Sequence, residues 1–114
     1  MRVFEIRDGE LMETLTRQLE KAGIRDAAIV SLIGAADRFT ISTMPVDDAT
    51  DDTLTEYKVP AELVGGGEVV EGRVHLHVVA GIQDAGVTDV GKSGHLHEAH
   101  VGTHFVRAYV QPVE

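Results

Sequence analysis

The chain has 114 residues, 43% apolar and 25% charged, which is expected to give one globular domain, 1–114, with its own core. It has no cysteine, which excludes disulfides, thiolate zinc sites and cysteine-based catalysis. A net charge of −9, from 10 Lys and Arg against 19 Asp and Glu, makes direct DNA binding by this domain a poor expectation, because that affinity rests on cations meeting phosphates.

The few bases do not compensate by clustering: Arg2, Arg7, Arg17, Lys21, Arg25, Arg38, Lys58, Arg73, Lys92 and Arg107 are spread along the sequence. No apolar run approaches the roughly 20 residues of a membrane helix, and no basic-plus-apolar start reads as a signal peptide. The expectation is a soluble cytoplasmic protein with no membrane partner.

Residues 2–7 alternate apolar and polar and read as a strand. Asp8-Gly9 breaks it, and Asp8 is placed to cap a helix over about 10–22. Leu11, Met12, Leu15, Leu19 and Ala22 recur at helical spacing on one face, and Gly23 suits the C-terminal turn. Ala27 to Ile33 is an apolar run of strand length, and Phe39 to Met44 alternates; together they read as a hairpin over 27–44, ended by Pro45. Asp47 to Asp52 is rich in aspartate but lacks the central glycine and terminal glutamate of a calcium loop, so a solvated acidic loop is the better reading.

Residues 53–59 suggest another strand, with Pro60 at the turn after it. Gly65-Gly66-Gly67 precedes a strand-like Glu68 to Glu71 instead of a helix, which favours a tight turn over a phosphate loop. Arg73 to Ala80 is expected as a strand, then a loop containing Gly81, Asp84, Gly86 and Asp89. The His95 segment follows, and a last strand from about Thr103 to Val110, with Pro112 limiting further pairing. No internal repeat, linker or low-complexity tract is visible.

All six histidines fall between His75 and His104. Residues two apart on a strand point to the same face, so His75 and His77 project together, and so do His95 and His97 if 94–98 is extended. Two such pairs brought together place up to four imidazoles within reach of one ion, and zinc needs three or four ligands. His100 and His104 have no partner at strand spacing and read as partly exposed polar residues. A histidine cluster is also suited to a pH switch. Glu62, Asp84, Asp89 and Glu98 are the carboxylates considered as a base beside it, and Glu98, with Glu62, is a candidate to orient a metal-ligating histidine. No Ser-His-Asp arrangement and no His-Glu-x-x-His helix is readable.

The opening Arg-x-Phe-x-Ile-x-x-Gly-Glu-Leu, the Gly23-Ile24 step, Ile33-Gly34-Ala35, Tyr57 with Glu62-Leu63, the Gly67 turn, His75-x-His77 and Gly94-His95-Leu96 run in one order. In that order, from end to end, the chain resembles the PPC (plants and prokaryotes conserved) domain family, in its prokaryotic single-domain form. The resemblance implies a compact α/β unit of the α+β type, a mostly antiparallel sheet with one main helix, and a homotrimer. It also implies a bound metal, usually zinc, carried over onto His75, His77 and His95, with His97 the leading fourth candidate. Plant members carry an Arg-Gly-Arg element ahead of the domain, and this sequence has none, so the family's DNA-binding label is not carried over.

Three functions compete on this reading. The first is a small metal-containing, self-associating module with a regulatory or binding role, for which a small-molecule ligand is compatible. The second is a zinc-dependent hydrolase or lyase using metal-bound water. The third is a DNA-associated protein. A cupin-like metal enzyme ranks low, because Val78 to Ile82 offers no carboxylate after the His pair.

Overall fold

The computed structural model describes residues 1–84 and 87–113, with side chains at 1–83 and 91–113. The alternating start forms β1 (Arg2–Ile6), and its inward residues Phe4 and Ile6 are buried. A two-residue strand, β2 (Gly9–Glu10), leads into α1 (Leu11–Lys21). Leu11, Leu15 and Leu19 are all buried, so the helical spacing read from the sequence does fix the face that packs on the sheet. Fully burying a leucine is worth roughly 1.5–3 kcal/mol, and these three anchor the helix. Gly23, at φ +74°, closes it by donating to Glu20 O at 3.0 Å, while Ile24 N–H reaches back to Leu19 O at 3.0 Å.

The cap is Glu10, not Asp8. Glu10 Oε2 accepts from Met12 N–H at 2.9 Å and Oε1 from Glu13 N–H at 2.8 Å. The pairing of β2 places Glu10, and not Asp8, immediately before the first helical turn. Glu10 Oε2 also accepts from Ala99 N–H at 2.9 Å, so one carboxylate ties the start of the helix to a distant strand.

The remaining strands are β3 (Ala27–Ala36), β4 (Arg38–Thr43), β5 (Thr53–Tyr57), β6 (Ala61–Val70), β7 (Arg73–Asp84), β8 (Val87–Val101) and β9 (Val106–Pro112). They form one sheet in the order β1-β9-β3-β6-β7-β8-β4-β5, with β2 on β8, and every pairing is antiparallel. The fold is thus a single domain with an antiparallel sheet and one helix, of the expected α+β type. The helix and the sheet's inner face enclose Leu32, Phe39, Leu63, Leu76, Leu96, Val106 and Val110, all buried.

Several local expectations are corrected. Residues 27–44 are not a hairpin: β3 lies between β9 and β6, whereas β4 lies between β8 and β5. At Asp37 the chain crosses between the two parts of the sheet. Asp37 N–H donates to His100 O at 2.8 Å, and its carboxylate accepts from Thr103 N–H at 3.2 Å. The sheet therefore coils until the end of β3 meets β8.

Gly65-Gly66-Gly67 is not a turn but the middle of β6, in register with Val78, His77 and Leu76. A Cβ on Gly65 or Gly67 would collide with the carbonyl oxygens of His77 and His75, so side chains are excluded by close approach and not by turn geometry. The loop expected from Gly81 is largely strand, since β7 runs to Asp84 and β8 begins at Val87. Gly86 and the side chains of Asp84 and Asp89 lie outside the described residues. The last strand starts at Val106 and pairs as far as Pro112, opposite Ala27.

Candidate metal centre

The chain places His75 and His77 on β7, and His95 and His97 on β8. Leu76 and Leu96, between the members of each pair, are buried, so the histidines next to them are turned away from the core. The register sets His77 directly opposite His95. Ring centroids are 5.2 Å apart for His77 and His95, 4.9 Å for His95 and His97, and 6.0 Å for His75 and His95. His95 is the hub.

Two imidazoles on one tetrahedral zinc, with Zn–N of about 2.0–2.1 Å, put their ring centres ~5–6 Å apart. The three spacings to His95, 4.9, 5.2 and 6.0 Å, lie close to that range one pair at a time. As the side chains stand, no group of three or more His, Cys, Asp or Glu among the described residues converges on a common metal position.

His97 sits in a special place. Along the β4–β8 pairing, Thr40 faces Glu98 and Ile41 faces Leu96, which leaves His97 as the extra residue of a bulge. The bulge re-aims its ring so that Nε2 shares a hydrogen bond of 2.8 Å with Ser42 Oγ. Ser42 is buried, and it is the one buried polar residue among those described. A bond to Ser42 competes with metal ligation at that nitrogen.

His95 is partly buried, and its pKa is held below the ordinary imidazole value. Burial is the largest cause, followed by repulsion from protonated His97, His77 and His75, with Asp52 pulling weakly the other way. A neutral imidazole is the form that binds a metal.

The carboxylates singled out from sequence lie elsewhere. Glu98 reaches His100 Nε2 at 3.6 Å. Glu62 faces Gly81, four residues along β6 from Gly66, which faces His77, a separation of roughly 13 Å. His100 pairs through its backbone with Glu10 and Arg38, and His104 lies in the bend after β8, so neither joins the cluster.

Two concavities flank His95. One, of about 450 Å³, is lined by Ser42, Thr43, Met44, Asp52, His77, Gly94, His95 and His97. Asp52 brings the acidic loop to this wall, a role that its aspartate-rich composition did not signal. The other, of about 510 Å³, lies between α1 and the start of β7 and also reaches His75 and His95.

The fold is shared with solved structures. A metal-containing protein from Archaeoglobus fulgidus is 24% identical, with a TM-score of 0.76 over 97% of this chain and 79% of that one. A plant- and prokaryote-conserved (PPC) protein from Pyrococcus horikoshii is 23% identical, with a TM-score of 0.77 over 99% of this chain and 80% of that one. A protein from Ralstonia eutropha JMP134, provisionally named DNA-binding, is 20% identical, with a TM-score of 0.73 over 97% of this chain and 76% of that one. At these identities the likeness is one of fold. A search among curated proteins returns no match. The sequence model of the Plants and Prokaryotes Conserved (PCC) domain matches residues 2–113, and the chain belongs to that family.

Proposed function

We propose that this domain is a small metal-holding, self-associating module in which His75, His77 and His95 bind one divalent ion, with His97 as a fourth ligand once it leaves Ser42. The observation that carries the reading is the cross-strand pair His77–His95, with His75 and His97 on either side at ring spacings of 6.0 and 4.9 Å from the hub. An all-imidazole donor set suits zinc, and the metal-containing name of the Archaeoglobus relative points the same way. Elemental analysis of never-chelated protein tests it. Stoichiometric metal is expected in the parent and in His104→Ala, and none in the double variant His75→Ala, His77→Ala. Absence of metal from the parent refutes the site.

Self-association is supported by the sheet's outer face. Ile33, Val64 and Val79 lie side by side in register across β3, β6 and β7 and are 52% exposed each, with Val30 at 58% nearby. A contiguous apolar row of this kind on a charged domain is suited to burial against another copy. The homotrimer implied by the family resemblance is the assembly we propose.

A second reading, a zinc-dependent hydrolase or lyase, draws on the cavity of about 450 Å³ that meets the histidines. Three protein ligands would leave a position for water on the ion. Binding of a hydroxamate probe to the zinc-loaded protein, lost with His95→Ala, would favour it. Direct DNA contact remains disfavoured by the net charge of −9.

A further inference from the structure

The second groove, about 510 Å³, has a wall chemistry that the metal reading does not use. Arg17 from α1 and Arg73 from β7 line it together with His75 and His95. The ion pairs among the described residues engage Arg7, Lys58, His100 and Arg107, and neither Arg17 nor Arg73 joins one. In a chain with 19 acidic residues, two arginines on one concavity that form no ion pair among the described residues are out of keeping with the surrounding charge. A guanidinium presents a planar fork of donors that matches phosphate and carboxylate oxygens. The one acid on the same wall is Glu13, which leaves the two cations in excess. Met12 and Val74 add apolar surface between the charged groups, and Thr16 has its hydroxyl committed to Met12 O at 2.7 Å.

We propose that this groove takes the oxyanion end, phosphate or carboxylate, of a small molecule whose other end lies against His75 and His95. Arg17 and Arg73 clamp the anion from the helix side and the strand side. The groove therefore draws its ligand from small phosphorylated or carboxylated metabolites. The anion clamp stands on the two arginines alone; only the approach of the ligand's other end to an ion rests on the metal reading above.

The test is a two-dimensional NMR titration of the full chain with inorganic phosphate and, separately, succinate, in metal-free and zinc-loaded protein at constant ionic strength. Saturable shifts are expected at the amides of Arg17, Arg73 and His75, with a Kd on the order of 1 mM for these fragments. Arg17→Ala or Arg73→Ala should weaken binding about tenfold each, with zinc content unchanged, and Arg17→Lys should weaken it less. Both arginines are exposed, so the variants should keep the parent's spectral dispersion. A preference for phosphate assigns phosphate esters, and a preference for succinate assigns carboxylates. No saturable shift with either anion overturns the proposal. So does binding that needs zinc and is unchanged in the arginine variants, which would place the anion on the metal and leave the metal site standing. In the double variant His75→Ala, His77→Ala, retained phosphate binding without metal supports the clamp independently of the ion.

Discussion

Removing the half-buried Glu10 carboxylate should cost the domain more than the loss of a helix cap alone. Glu10 accepts three backbone N–H groups: Met12 at 2.9 Å, Glu13 at 2.8 Å and Ala99 at 2.9 Å. Losing a helix cap costs about 0.5–2 kcal/mol, and leaving the part-buried Ala99 N–H without its charged acceptor adds roughly 1–3 kcal/mol. Favourable contact with the helix dipole is lost as well. The contributions share one side chain and do not add fully, so Glu10→Ala is expected to cost about 3 kcal/mol, or ~12 °C in Tm for a domain of this size. Glu10→Gln keeps an acceptor and should lose about 1 kcal/mol. Asp8→Ala should stay within about 0.5 kcal/mol of the parent. Urea denaturation at one fixed protein concentration reads all three, because the self-association proposed above would make stability depend on concentration. If Asp8→Ala proved as damaging as Glu10→Ala, or Glu10→Ala cost less than about 0.5 kcal/mol, the account of the helix start would be wrong.

Gly67→Ala should destabilise the domain by more than about 2 kcal/mol and lower its metal content, because the added methyl meets the His75 carbonyl; a thermal melt with elemental analysis checks both, and a neutral result would refute the close approach. The depressed pKa of His95 makes the unfolded chain take up more protons than the folded one below the ordinary histidine value of about 6.5. Stability of metal-free protein should therefore hold above that pH, fall as pH drops through it, and level off below the folded-state value. His95→Gln should flatten that slope in urea melts across pH 5–8, and stability that rises on acidification would contradict the assignment. Val64→Asp with Val79→Asp should lower the molar mass seen by light scattering to that of a monomer while leaving the circular dichroism unchanged; an unaltered mass would move the interface elsewhere.

The helix was legible because its signal is local. Leu11, Leu15 and Leu19 lie on one stripe whatever the rest of the chain does. The His75 and His77 pair was legible for the same reason, since strand parity needs no knowledge of neighbours. What could not be read was set by distant partners. The apparent 27–44 hairpin has two good strands and a turn residue, but β3 finds β9 and β6 more favourable neighbours, and that choice is made by residues seventy positions away. The triple glycine carries the composition of a turn, yet its role comes from the β7 backbone pressing on it. The cap moved from Asp8 to Glu10 because Glu10 is held by His100 and Ala99, from the other end of the sequence. The bond between Ser42 and His97, and the nearness of Asp52 to the cluster, have no sequence signature at all, because each depends on which strand lies beside β8.

The bulge in β8 gives the four histidines unequal genetic standing. Leu96, Ala99 and Val101 all face the core, and His97 is the residue inserted between the regular positions. An in-frame loss of its single codon would leave Leu96, Glu98 and Ala99 in ordinary alternation, with His95 still opposite His77. Loss of a codon within 73–76, or between His77 and His95 on the paired stretch, would instead exchange inward and outward residues along a whole strand. A lineage could thus gain or drop the fourth imidazole in one step without reopening the core, while the other three are locked to the reading of the sheet.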